Sequence, residues 1–279
     1  MELQGKTAVV TGGGAGIGEG ISLRLAEAGA EVAIISRSKN RAAGVADKIN
    51  AWGRKSFVEV ADVTDSKQVK TAVQHILDNF GKIDILINNV GGEIRFYKDR
   101  TGDRFVEISE QEWDEMIDFN LKTAVRTCRE VVPHMVKQNS GKIVNIASIS
   151  ARPPIWTGAR NSAAFMSYSV SKAAMVQFTG VLALELAEHN INVNCVCPAD
   201  VWTPMWEKNA LRAIAANPQF KGMTPREYFE KVAVAGTRQP LKREITPADI
   251  GDAVLFFVSE KARNITGQSL TVDAGARPG

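Results

Sequence analysis

Tyr168 and Lys172 stand four residues apart in "SYSVSKAAM" (167–175), surrounded by small side chains. At helical spacing the two share one face, within side-chain reach of each other. A free phenol ionises near pH ~10, too high for easy proton exchange at neutrality, and a neighbouring ammonium stabilises the phenolate and lowers that value. The pair is therefore a candidate proton donor and acceptor. Neither Tyr97 nor Tyr228 is followed by lysine at this spacing. Ser167, Ser169, Ser171, Ala173 and Ala174 suit close packing of a helix on a sheet and equally suit the approach of a flat cofactor.

A second group of residues points to a dinucleotide. In "TGGGAGIGEG" (11–20), Gly12, Gly14, Gly16, Ile17 and Gly18 form a turn between a strand-like and a helix-like stretch. Glycines there admit the tight turn, bring backbone N–H groups within reach of a pyrophosphate and leave the anion at a helix N-terminus. About 20 residues on, an NAD site typically offers an acid to the ribose hydroxyls. This chain offers Ser36 and Arg37 in "IISRSKNR", and a guanidinium suits the 2′-phosphate of NADP. NADP is the expected cofactor, with NAD as the second choice.

These residues need elements to carry them. Seven β-branched runs read as strands: "KTAVVT" (6–11), "EVAIIS" (31–36), "KSFVEVA" (55–61), "IDILIN" (83–88), "GKIVNIAS" (141–148), "INVNCVC" (191–197) and "SLTVDA" (269–274). Stretches of helical period lie between most of them, which predicts an α/β fold with a doubly wound, seven-stranded parallel sheet and helices on both faces. No linker or repeat divides the chain, so 1–279 reads as one domain. Such a sheet binds ligands beyond the carboxyl ends of its strands, where the glycine turn lies.

Composition narrows the classes. The 279 residues are 44% hydrophobic with a formal net charge of +3 and no run of like charges, which gives no support to nucleic-acid or membrane-surface binding. The N-terminal stretch lacks the apolar run of a signal peptide, so a cytoplasmic location is expected. Cys128, Cys195 and Cys197 read as buried thiols. His75, His134 and His189 fall in separate helical stretches, and no metal site is expected.

The sequence resembles the short-chain dehydrogenases/reductases over essentially its whole length. "TGGGAGIG" is similar to their T-G-x-x-x-G-x-G, "NNVG" (88–91) to their N-N-A-G and "YSVSK" to their Y-x-x-x-K, while "IVNIAS" and "DFNLKT" match the segments carrying their catalytic serine and asparagine. The resemblance implies a Rossmann-type fold and an oxidoreductase moving a hydride between NADP(H) or NAD(H) and a secondary alcohol or ketone. It implies Asn120, Ser148, Tyr168 and Lys172 as catalytic residues. Ser148 would hold the substrate oxygen, Tyr168 would exchange its proton, Lys172 would also hold the nicotinamide ribose, and Asn120 would steady a water. Asp62 and Val63 would touch the adenine, Asn88 and Asn89 with Gly91 would flank the cofactor, and Pro198, Val201 and Thr203 would meet the nicotinamide. The family commonly forms homotetramers, and a homotetramer or homodimer is expected.

Departures mark the substrate side. The family's usual Pro-Gly is Pro198-Ala199 here, where alanine restricts positive φ. Extensions at 91–105 and 151–166 face the expected substrate mouth, the second opening a gap of twenty positions between Ser148 and Tyr168. Arg95, Arg152 and Arg160 lie in them as surface residues or anion contacts. The stretch 202–243, with Met205, Trp206, Phe220, Met223, Tyr228 and Phe229, suits a lid over an apolar ligand. Trp156, Trp202 and Trp206 are the candidate substrate contacts, and a mid-sized apolar or cyclic substrate is the expectation. A 3-oxoacyl reductase acting on an acyl carrier is the alternative; a cofactor-sensing module without chemistry is a third reading, opposed by the intact set of catalytic types.

Overall fold

The structure, a computed structural model, describes residues 1–93, 105–153, 166–235 and 239–277. All seven expected strands form: β1 (Thr7–Thr11), β2 (Glu31–Ser36), β3 (Ser56–Val60), β4 (Ile85–Asn88), β5 (Gly141–Ile146), β6 (Ile191–Pro198) and β7 (Ser269–Val272). They make one parallel sheet in the order β3-β2-β1-β4-β5-β6-β7. The order reverses between β1 and β4, and a crevice opens there beyond the strand ends.

The strands are apolar on both faces because both faces are covered. Ala8 and Val10 of β1 join one core with Ile21 and Leu25 of α1 (Gly16–Glu27), Val45 of α2 (Lys39–Ala51) and Val254 of α9 (Pro247–Val258). Val9, between them, turns to the opposite core with Val69 of α3 (Ser66–Phe80), Val131 of α5 (Thr123–Gln138) and Leu186 of α6 (Met166–Leu186). The two-residue period of a strand thus feeds two separate apolar layers.

Three features bear on the site. Between α4 (Glu110–Ile117) and α5, residues Asp118–Lys122 form a π-helical turn containing Asn120. After β6, α7 (Pro204–Ala216) is followed by α8 (Pro225–Tyr228) and a second π turn, Phe229–Val234. Finally, the stretch Met166–His189 is long and apolar enough to cross a membrane by length and composition. In this fold it buries Met175, Leu182 and Ala183 while Val170, Val181 and Leu184 face outward. The three cysteines are free and buried, as expected, and burial pushes the Cys128 thiol up to about 12.

Candidate active site

A cleft of about 550 Å³ runs along the strand ends on both sides of the switch point. Its first wall is the turn after β1. Gly12 and Gly16 adopt φ of 67° and 57°, and a Cβ on Gly18 would collide with the Gly12 carbonyl. The bare backbone that results at the N-terminus of α1 is the cradle a pyrophosphate requires. Gly14 and Ile17 line the same wall.

At one end of the cleft stand Ser36, Arg37, Asp62 and Val63. Arg37 Nη1 lies 3.5 Å from Asp62 Oδ2, and the other Asp62 oxygen accepts from the Thr64 N–H and hydroxyl at 2.9 and 2.8 Å. Burial raises the Asp62 pKa, but those two hydrogen bonds and the Arg37 charge outweigh it and hold the carboxyl below its usual value. Arg41 and Ser38 also line this end. Sequence reading passed over Arg41, although its spacing of four from Arg37 was the signal.

Asn88 and Asn89 part company. The Asn88 amide donates to Asn145 Oδ1 at 2.8 Å and to Cys128 Sγ at 3.3 Å, and its oxygen accepts from the Thr127 hydroxyl. It belongs to a buried network between β4, β5 and α5, and the expectation that it flanks the cofactor is corrected. Asn89 lines the cleft, its amide donating to the Thr11 carbonyl at 3.0 Å. Neighbouring residues at a strand end point to opposite sides, so only one of the pair reaches the crevice.

The four candidate catalytic residues converge at the other end. Ser148 follows β5 and hydrogen-bonds the Tyr168 phenol, which projects from the first turn of α6. The Lys172 ammonium donates to the Ile146 carbonyl at 3.0 Å and lies 5.8 Å from the Tyr168 ring centroid. Asn120 is fully buried: its Oδ1 accepts from Gly92 N–H at 2.8 Å and its Nδ2 donates to the Gly92 carbonyl at 2.9 Å. Gly91 completes the cluster. A Cβ there would stand 2.7 Å from Asn120 Oδ1 and 2.8 Å from Lys172 Nζ.

The electrostatics differ from the sequence expectation. Burial pushes the Tyr168 phenol up to about 12; the Ser148 hydrogen bond opposes this, while the charges of Glu93, Asp200 and Cys197 add to it. Burial also pulls Lys172 down to about 8, with Cys195 and Cys197 opposing. A lysine that is itself disfavoured as a cation is a weak tuner of its neighbour, and desolvation dominates both groups.

Pro198, Val201 and Thr203 line the cleft, and the Thr203 methyl is where a Cβ on Gly16 would meet it, at 3.1 Å. Ala199 replaces the family's glycine without strain, since it is not among the described residues with positive φ. Trp206 lines the cleft, but its ring also packs on the buried Phe229 at 5.2 Å. Trp202 is corrected: it lines a separate shallow depression, its ring 5.1 Å from Phe229 and beneath the Arg226 guanidinium. Phe220 and Tyr228 pack on each other, so the aromatics of 202–243 mainly form that segment's own core. Trp156, Arg95 and Arg160 lie outside the described residues. Arg152 binds the Ser269 carbonyl and the Thr271 hydroxyl of β7, a structural role. Met205, one of the residues expected in the lid, lines the cleft, and so do Phe119, Lys208 and Asn209, which the sequence did not single out.

Comparison with known proteins agrees with this geometry. The family described as short chain dehydrogenase matches residues 6–213. The 3-oxoacyl-(acyl-carrier-protein) reductase of Staphylococcus epidermidis is 35% identical over 271 residues, covering 97% of this chain and 98% of its own. A solved L-sorbose reductase from Gluconobacter frateurii, complexed with NADPH and L-sorbose, is 30% identical with a TM-score of 0.84, covering 99% of this chain and 98% of its own. A 7α-hydroxysteroid dehydrogenase complexed with NADH and 7-oxo glycochenodeoxycholic acid is 30% identical with a TM-score of 0.80, covering 98% and 95%. With a glycine turn after β1 and Ser148, Tyr168 and Lys172 gathered beyond β5, this chain belongs to the short chain dehydrogenase family, and it is an oxidoreductase that takes a nicotinamide dinucleotide.

Proposed function

We propose that the chain is an NADP(H)-preferring carbonyl reductase, interconverting a ketone and a secondary alcohol. The observation that carries this reading is the convergence of Ser148, Tyr168, Lys172 and Asn120 around the end of the dinucleotide cleft. When bound, the dinucleotide supplies or accepts the hydride. The protein's part is to hold the substrate oxygen and to move a proton.

The Ser148 hydroxyl and the Tyr168 phenol, already hydrogen-bonded to each other, would both address the substrate oxygen. With its pKa at about 12, Tyr168 is fully protonated at neutral pH, the state a proton donor to a developing alkoxide needs. Lys172, fixed on the Ile146 carbonyl, would offer its remaining protons to the cofactor ribose. Asn120 would act through Gly92 and Gly91, holding the cleft floor at the point where the reacting groups meet. At the far end, Arg37 and Arg41 would bind a 2′-phosphate, with Asp62 orienting Arg37.

A second reading, reduction of a 3-oxoacyl thioester on an acyl carrier, is favoured by the activity named for the curated relatives. Initial rates with NADPH and with NADH, against simple ketones and a 3-oxoacyl thioester, separate the two. NADPH-dependent turnover confined to the thioester would overturn the first reading. A cytoplasmic setting is consistent with three free thiols. Self-association would be served by the outward apolar residues Val170, Val181 and Leu184 of α6.

A further inference from the structure

The cleft-facing side of α7 holds a polar group that the chemistry above does not use. Asn209 lines the cleft and is 7% exposed, yet its Oδ1 has no hydrogen-bond partner among the described residues. A buried amide oxygen without a donor is costly, about 1–3 kcal/mol, unless water or a ligand supplies one. Its place in the helix tells which ligand. Met205, one turn earlier on the same face, has its sulfur 3.2 Å from where a Gly92 Cβ would be, and Gly92 is the residue Asn120 clasps. Asn209 therefore overhangs the substrate side, beyond Gly92, rather than the phosphate cradle that Thr203 touches through Gly16.

Glu93, the residue after Gly92, is 4% exposed, and its charge reaches the Tyr168 phenol. Lys208, also lining the cleft, adds a donor on α7. An acyl chain or a hydrocarbon ring would bury the Asn209 oxygen against methylenes and leave it without a donor. A substrate carrying hydroxyls beside its carbonyl offers both donors and acceptors.

We propose that the substrate is a short polyhydroxylated ketone, and that Asn209 is the specificity-determining residue that accepts a hydrogen bond from one of its hydroxyls. The proposal rests on the ketone-reductase reading above and narrows it.

The test compares D-fructose, 1,3-dihydroxyacetone, 2-hexanone and a 3-oxoacyl thioester as NADPH-dependent substrates of the wild-type protein, Asn209→Leu and Asn209→Asp. The wild type is expected to favour the hydroxylated ketones over 2-hexanone by at least roughly 10-fold in kcat/KM, the worth of one buried hydrogen bond. Asn209→Leu should raise KM for the hydroxylated ketones by roughly 10- to 100-fold, narrow or reverse the preference, and leave the NADPH dissociation constant unchanged. Asn209→Asp keeps an acceptor oxygen at that point and should keep the preference. Better turnover of 2-hexanone or the thioester by the wild type overturns the inference while leaving the reductase reading intact. Equal weakening of NADPH and ketone by Asn209→Leu overturns it too, by assigning the amide to the dinucleotide. Absence of turnover with any ketone removes the reductase reading and this inference with it.

Discussion

Lys172 reaches across from α6 to donate to the Ile146 carbonyl at the end of β5, 3.0 Å away, with its ammonium 5.8 Å from the centre of the Tyr168 ring. One side chain thus ties the helix carrying the phenol to the strand that leads into Ser148. Its removal and that of the phenol oxygen should therefore differ. Tyr168→Phe should fold, melt and bind NADPH like the wild type, while turnover falls by roughly 10²- to 10⁴-fold. Lys172→Ala should lose turnover, weaken cofactor binding and lower the melting temperature, since the strand-to-helix tie is gone. Single-turnover rates, cofactor titration and thermal melting on both variants check this. A Tyr168→Phe protein that turns over at near wild-type rate contradicts the mechanism.

Burial of Lys172 leaves a signature on stability in the cofactor-free protein. Its ammonium titrates at about 8 in the folded chain against 10.5 as the ordinary value. Between those values the unfolded state holds the extra proton, so this group's contribution to stability rises with pH; below pH 8 the penalty is fully present. The melting temperature of wild type minus that of Lys172→Met should grow between pH 7 and pH 9.5. A constant difference would show that the ammonium is not desolvated.

The direction of reaction should respond to pH through Tyr168. With the phenol protonated up to about pH 12, carbonyl reduction should be flat across neutrality while alcohol oxidation climbs into the alkaline range. Glu93 is a like charge that raises the phenol's pKa. Glu93→Gln should shift the oxidation limb to lower pH, and Ser148→Ala, which removes a hydrogen bond that lowers the pKa, should shift it higher. pH–rate profiles of the two variants moving in the same direction would contradict the assignment.

Cofactor choice should rest on two cations rather than one. Arg37→Asp is expected to weaken NADPH by roughly 10- to 100-fold and to favour NADH; Arg41→Ala should weaken NADPH and spare NADH. Fluorescence titration with both dinucleotides measures this, and a wild type that binds NADH more tightly would reject the 2′-phosphate site.

Phe229 joins Trp202 and Trp206 in one packed cluster. Phe229→Ala should cost about 3–5 kcal/mol where the cluster cannot collapse, and should raise substrate KM by loosening α7. Trp202→Ala should leave substrate KM near its wild-type value. Chemical denaturation and initial rates test the pair; a large effect of Trp202→Ala on KM would restore it to the cleft.

The sheet was legible because its strands are buried on both faces, and that burial writes β-branched runs such as "KTAVVT" and "INVNCVC" into the chain. Tyr168 and Lys172 were legible as neighbours because helical spacing fixes proximity. Their protonation was not, because desolvation depends on what the fold stacks around them. The choice between Asn88 and Asn89 turns on strand register, one residue wide. The aromatics of 202–243 were read as facing a ligand, whereas Trp202, Phe220, Tyr228 and Phe229 mostly face one another. Asn209 carried no motif and emerges only once α7 lies over the cleft.

The π turn at Asp118–Lys122 has a mechanical meaning. An α-helix advances about 100° per residue, so one extra residue in a turn rotates everything after it by about that much. The turn acts as a phase shifter between α4 and α5. Ahead of it, Met116 is buried; beyond it, Cys128, Val131 and Met135 meet the sheet; within it, Asn120 turns to Gly92. Two helices with incompatible angular settings are thereby coupled in one continuous rod. Deleting a single residue from "DFNLK" would leave a regular helix that satisfies either the sheet or Gly92, but not both.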